Sequence, residues 1–367
     1  MSLRSGQLSA LLVAFASSVS AINTTPSSVT VVGSLTNPGI TRDSCSSGNF
    51  GPLGTLWICR DTQPIVNGVP STDVVANTGA FSGTAGSTSL NLTSPALTTP
   101  YLPFDSATEC GTYGLCSDGT RYVGWPNTGP AVTYDFDGSV NGYMFVPKQH
   151  ISGLTVEGDT YYSLYHLGYV SGQSSLLPTV SMDYQSWWGT NDVGYGAYGS
   201  VVQGNYAYLF GTTSSSEMAL ARVDLSSGVF TAIETLSEYE YWVNGAWTTT
   251  KPSLTDSGLG ITNAYAGGQG TYFYSTYWSS YVWVGGSAYP GANFYITTAP
   301  DPTGPWTTPT LFYTGAEGSA SSLPAYSCVA HPELSTVSPS GKELYISWTE
   351  NNSDGVYNNA LAHVVWP

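Results

Sequence analysis

Asp43 and Asp61 are the residues whose type and setting most resemble a chemical device. Arg42-Asp43 lies beside Cys45, and Cys59 lies beside Arg60-Asp61, so one short phrase occurs twice within Gly39 to Gln63. Two facing carboxylates can cleave a glycosidic bond, one donating a proton to the leaving oxygen and the other acting as base or nucleophile. Their separation is about 5–5.5 Å in retaining enzymes and about 6.5–9.5 Å in inverting ones. A third carboxylate, Glu333 in His331-Pro332-Glu333, is the reserve catalytic candidate, with His331 as a hydrogen-bond donor to substrate.

The element that must position the aspartates is a hairpin. Thr55-Leu56-Trp57-Ile58-Cys59 has the aromatic and branched residues of a half-buried strand, and a loop rich in Ser, Gly and Pro precedes it. Partners in an antiparallel ladder keep a constant sum of residue numbers. If Cys45 faces Cys59, Asp43 therefore faces Asp61, with Cβ atoms about 4.5–5.5 Å apart. Like charges so placed are destabilising, which leaves two readings: an ion cluster neutralised by Arg42 and Arg60, or a pair that works on a substrate.

Five cysteines fit two disulfides and one leftover thiol. Cys45 with Cys59 and Cys110 with Cys116 are the local pairs, leaving Cys328. Pairing of Cys328 with Cys45 or Cys59, stapling the end of the chain to its start, is the rival.

Other side chains add candidate sugar contacts. Arg42 and Arg60 flank the aspartates. Lys148-Gln149-His150 follows a strand ending at Pro147, so His150 is placed at a strand end. Trp187-Trp188 and Tyr277-Trp278 fall in expected loops, where broad rings with a polar edge can stack on sugars. Glu234, Glu238 and Glu240 read as a solvated face. Asp135, Asp137, Asp183 and Asp192 could hold a structural Ca²⁺, although no dedicated loop motif is present, and no cofactor is expected. No zinc spacing, phosphate-cradling loop or Gly-x-Ser-x-Gly elbow stands out.

Composition narrows the class. Eight Lys and Arg stand against 24 Asp and Glu, a formal charge of −16, so the basic footprint of a nucleic-acid binder is absent. Residues 1–21 combine Arg4, an apolar run from Ala10 to Ala16 and small residues before Ile22, the pattern of a secretory signal. No later stretch approaches the roughly 18 apolar residues of a membrane-spanning helix. Asn23-Thr24-Thr25, Asn91-Leu92-Thr93 and Asn351-Asn352-Ser353 are glycosylation acceptor patterns. A secreted, extracellular monomer with a carbohydrate partner follows.

Gly, Tyr and Trp are abundant while Lys and Glu are scarce, which favours short strands over helix. Strand signals recur from Arg121 to Trp348, whereas Asp73 to Leu97 reads as a mobile excursion or a pair of weak strands. Tyr206 to Gly211 followed by Glu217 to Asp224, and Phe294 to Ala299 followed by Leu311-Phe312-Tyr313, repeat one scheme of aromatic strand, turn and second strand. The expected fold is all-β: a single domain over 22–367, a five-bladed β-propeller of four-stranded blades.

Arg42-Asp43 through Leu56-Trp57-Ile58-Cys59-Arg60-Asp61-Thr62 resembles secreted fungal members of the family of domain of unknown function 4185. So do Tyr198 to Val202 with Tyr208 to Thr212, Gly304-Pro305-Trp306, and His331-Pro332-Glu333-Leu334 before Leu344 to Trp348. The resemblance runs from about Val31 onward. It implies likeness to five-bladed propeller glycoside hydrolases, among whose relatives are endo-D-arabinanases.

The expected activity is hydrolysis of a plant or microbial polysaccharide by Asp43 and Asp61. A polysaccharide lyase would instead use His150 or His166 with a Tyr to remove the proton beside a uronate carboxylate. The third alternative is a sugar-binding propeller or secreted effector without catalysis.

Overall fold

In the computed structural model, residues 22–367 are described apart from 84, 87, 229 and 288, so the expected leader lies outside the described residues. The chain is all-β, with short 3-10 turns in place of longer helices. No helix among the described residues is long and apolar enough to cross a membrane.

Antiparallel hairpins build the sheets in chain order. Cys45–Asn49, Thr55–Cys59 and Thr78–Ser82 form the first. Ala131–Phe136, Ser139–Ser152, Thr155–Val170 and Thr179–Trp188 form the second, joined by Arg121–Gly124. The third runs from Gly199–Gln203 to Ala246–Thr248, and the fourth from Gly267–Ser275 to Thr310–Thr314. The last contains Ala325–His331, Glu343–Asn351 and Tyr357–Val365, and the chain's first strand, Ser28–Thr36, pairs with Tyr357–Val365. A small sheet of Ile40–Arg42, Thr62–Val66 and Val69–Pro70 sits beside the first. Strand numbers per sheet thus range from three to five, where a uniform four was expected.

Both hairpin repeats seen in the sequence are paired strands: Tyr206–Thr212 with Met218–Asp224, and Asn293–Ala299 with Thr310–Thr314. The segment expected to be mobile or weakly stranded holds a buried one, Thr78–Ser82. Its small residues are what let it fit, since a Cβ on Gly79 would lie 2.9 Å from the Tyr101 ring.

Five buried apolar clusters link the sheets in turn. Leu56 and Ile58 pack on Val146 and Tyr165; Phe145 and Trp188 on Leu209 and Tyr239; Phe210 on Tyr272 and Trp283. Val284 and Phe294 then pack on Ile346 and Trp348, and Trp57 closes the circuit on Tyr345 and Leu361. The opening strands of the sheets are neighbours in the same order, Cys45–Asn49 touching both Ala131–Phe136 and Ala325–His331. Central strands are therefore covered on both faces, while outer ones such as Thr179–Trp188 keep exposed positions. Strands such as Ser280–Ser287 are buried almost throughout rather than alternating with solvent. Asn49, Gln203 and Tyr274, late in three of these strands, line one cavity with Pro332 and Glu333, whereas Asp43, Gln269 and Tyr326, near or just before the starts of theirs, line another.

Candidate functional site

The Cys45–Cys59 disulfide forms across the hairpin, Cys110 bonds Cys116, and Cys328 is free and buried. Cys45 faces Cys59 in register, and Arg42 faces Thr62 in the adjoining small sheet with the same constant sum. Asp43 and Asp61 occupy the break between these two ladders. There the Asp43 amide donates to the Asp61 carbonyl, and the Arg60 amide donates to the carbonyls of Asp43 and Ser44. Ser44 adopts φ 34°, a left-handed conformation unusual outside glycine, and so diverts the strand at the aspartate. Ser327, after Tyr326 in the last sheet, does likewise with φ 56°.

The two carboxylates line one cavity of about 290 Å³ at the entry end of the opening strands, with Arg60, Trp125, Gln269, Tyr289, Tyr326 and Tyr357. Asp43 accepts a hydrogen bond from the Tyr326 hydroxyl at 2.7 Å. Burial pushes its carboxyl up to about 6; Arg60 and the Tyr326 hydrogen bond oppose this, and the Asp61 charge reinforces it. Burial and the neighbouring Asp43 charge push the Tyr326 phenol far above its usual range, so it remains a donor. Asp61 is held differently. The Arg121 guanidinium takes both its oxygens and the Trp125 indole donates to Oδ1 at 3.0 Å, which fixes that carboxylate in place.

Arg60 forms the wall between this cavity and a second of about 340 Å³, lined by Asn127, Gln149, Tyr162 and Tyr198. Its Nε donates to the Pro126 carbonyl, and its Nη2 to Asn127 Oδ1 and Gln269 Oε1, at 2.6–3.2 Å. Leu154, 84% exposed at the tip of the long hairpin of the second sheet, and Tyr289, 69% exposed, stand at the mouth of the first cavity.

Glu333 is elsewhere. It follows Ala325–His331, whose entry end holds Tyr326, and it touches Ser47, four residues along from Asp43, which at roughly 3.3 Å per residue sets it about 13 Å from Asp43. Its carboxylate accepts from Ser47 Oγ, which also contacts His331 Nδ1, while His331 Nε2 meets Ser347 Oγ at 2.7 Å. Burial pushes Glu333 up to about 7 and holds the enclosed His331 down to about 3. A buried neutral imidazole between two serines leaves no donor for a substrate beside Asp43.

The remaining predicted contacts also part from the aspartates. Arg42, one residue from Asp43, points the other way, as strand alternation requires, and binds Thr78 and Ser94 hydroxyls. His150 likewise turns from its neighbour Gln149, contacting Thr120 Oγ1 at 2.6 Å and stacking on Tyr122 near the Cys110–Cys116 bond. His166 contacts Asn141 and stacks on Tyr143. Trp187 and Trp188, expected on a ligand surface, are the buried end of the outer strand Thr179–Trp188 and lie in the core. Tyr277 and Trp278 occupy a turn at the far end, bonded to the Pro367 carbonyl and packed on Trp366. Asp192 pairs with Lys251, and among the described residues no three His, Cys, Asp or Glu side chains gather as a metal site.

The residues that sequence reasoning missed are Arg121, Trp125, Gln269 and Tyr326. Only the scarcity of cations marked Arg121, one of eight Lys and Arg.

The family profile described as domain of unknown function (DUF5005) matches residues 151–362. The chain belongs to the DUF5005 family. The resemblance to domain of unknown function 4185 forms no part of that match. No curated protein matches this DUF5005 chain. Among solved structures it is similar to a candidate hydrolase from Bacteroides ovatus, with TM-score 0.61 and 17% identity over 90% of this chain and 86% of that one. A GH43_1 enzyme from Xanthomonas citri gives TM-score 0.49 and 9% identity over 92% and 93%. An exo-β-1,3-galactanase from Phanerochaete chrysosporium, in complex with β-1,3-galactotriose, gives 0.47 and 10% over 90% of this chain and 63% of that one. The first of these supports a shared fold.

Proposed function

We propose that residues 22–367 form one five-bladed propeller, secreted and monomeric, that hydrolyses glycosidic bonds in a polysaccharide. The five inter-sheet cores support the blade count, with the first strand completing the last blade. The two disulfides suit an oxidising compartment.

The observation that carries the activity is the difference between two neighbouring carboxylates in one cavity. Asp43, raised to about 6 and hydrogen-bonded to Tyr326, is suited to hold a proton at mildly acid pH and give it to a leaving oxygen. Asp61, tied to Arg121 and Trp125, adds to the burial that raises Asp43 and can face the positive charge developing on the sugar ring. The chemistry needs carboxylates and calls for no cofactor. This reading gives Glu333 no part; His150 lines a separate cavity of about 450 Å³ with Tyr122, so a lyase route through it would run away from Asp43 and Asp61.

The occupancy of both Asp61 oxygens favours a second reading, a sugar-binding propeller in which only Asp43 remains free. Incubating the protein with a polysaccharide panel separates the two readings. Hydrolysis products that vanish with Asp43→Asn support the enzyme, whereas saccharide binding without product from any glycan that binds supports the binding module.

A further inference from the structure

Arg60 is held open at the point where the two cavities meet. Its Nε and Nη2 are occupied by the neutral acceptors Pro126, Asn127 and Gln269, while Nη1 has no hydrogen-bond partner among the described residues. Among the described residues no carboxylate forms an ion pair with it: Asp61 is committed to Arg121 and Asp43 to the Tyr326 hydroxyl. When Asp43 carries its proton, the charges at the site are Arg60, Arg121 and Asp61, leaving one positive charge over in a protein of net charge −16. A half-buried guanidinium positioned by neutral oxygens, with one nitrogen unspent, is arranged to take an anionic oxygen from outside the protein.

Arg60 also faces both cavities, together with Trp125. Their volumes, about 290 and 340 Å³, can each admit a sugar ring, and Leu154 and Tyr289 at the first mouth offer apolar contact to a ring face. We propose that the substrate is an acidic glycan that spans the two cavities, with a carboxylate or sulfate ester seated on Nη1 of Arg60. This rests on the reading of the cavities as sugar sites. It adds that neutral polysaccharides are the poorer ligands.

The test uses four probes with the whole protein: a galacturonate hexamer, its methyl ester, a sulfated galactan oligomer and its desulfated form. Binding is measured by calorimetry in the Asp43→Asn variant, and product release in the unmodified protein. A charge-assisted contact predicts that one acidic probe binds about tenfold or more tightly than its neutral form. Arg60→Gln is expected to collapse that ratio towards one, and Arg60→Lys to retain part of it. Which acidic probe wins identifies carboxylate or sulfate. The comparison within the unmodified protein needs no substitution, so it stands even if Arg60→Gln fails to fold. Equal affinity for each acidic probe and its neutral form overturns the inference, as does an acid preference that survives in a folded Arg60→Gln protein. Neutral probes cleaved with no acid preference leave the hydrolase reading standing and remove this one. An Arg60-dependent acid preference without any product does the reverse.

Discussion

Asp43 and Glu333 are both carboxyls that burial pushes well above the usual range, and they lie at opposite ends of the ring of opening strands. Their surroundings differ in kind. Glu333 sits with Ser47, His331 and Ser347 in a closed chain of hydrogen bonds that satisfies each member. Asp43 has one hydroxyl donor, a cation in reach, a fixed negative neighbour and an open cavity. A raised carboxyl is therefore not by itself a mark of function; Glu333 also lines a cavity, of about 320 Å³, and the nature of the neighbours separates the two ends.

The comparison can be broken most sharply at Asp61. Asp61→Asn removes the charge that adds to burial in raising Asp43 and leaves the largely buried Arg121 without its partner. Turnover should fall by about 10²–10⁴-fold on any glycan that is cleaved, the range expected for a group acting on proton transfer. Steady-state kinetics checks it, and activity within a few-fold of the unmodified protein would reduce Asp61 to scaffolding.

The Cys45–Cys59 bond joins the two ends, since its strand carries Asp43 at one end and Ser47 towards the other. Replacing both cysteines by Ser should cost about 3 kcal/mol in denaturant unfolding, the scale for a loop of this length. Because Asp43 lies at a break in the ladder while Ser47 lies within it, the loss should appear first in turnover.

At the far end, Glu333→Gln mimics the protonated acid. Glu333 in the unmodified protein takes up a proton up to about pH 7 when folded, but only up to about 4.5 when unfolded. Its stabilising contribution is present below pH 4.5 and lost as pH rises through 7. Relative to the unmodified protein, the Gln variant should therefore gain about 3 kcal/mol between pH 4.5 and 7, at 1.36 kcal/mol per unit. His331, depressed to about 3, changes in the opposite sense over pH 3 to 6.5 in both proteins and largely cancels in the difference. Unfolding curves across this range test it; an unchanged difference means that Glu333 is ionised throughout.

The smallest effect belongs to Tyr326→Phe. Removing a hydrogen bond that favours the ionised form should raise the Asp43 carboxyl and move the alkaline limb of the pH–rate profile upward by under about one unit. A downward shift would mean that Tyr326 acts otherwise.

The ladder at Cys45 and Cys59 was legible because antiparallel register is local arithmetic, and it placed Asp43 beside Asp61 correctly. What surrounds them was not, because Arg121, Trp125 and Tyr326 arrive from other sheets, 60 to 283 residues away. The all-β class followed from strand spacing and composition. Trp187-Trp188 were misplaced because they were read as a loop, whereas they are the buried end of an otherwise largely exposed outer strand. His331-Pro332-Glu333, the reserve candidate, does return to the first hairpin, where Glu333 touches Ser47. Strand direction decided the rest, carrying Glu333 to the wrong end for chemistry with Asp43.

The most direct test sets Asp43→Asn beside Glu333→Gln on one glycan that the unmodified protein cleaves, with folding monitored by circular dichroism. We expect turnover to drop at least about 10³-fold in the first and to stay within about threefold in the second, both remaining folded. Loss in Glu333→Gln with retention in Asp43→Asn would contradict the account and move the chemistry to the other end of the molecule.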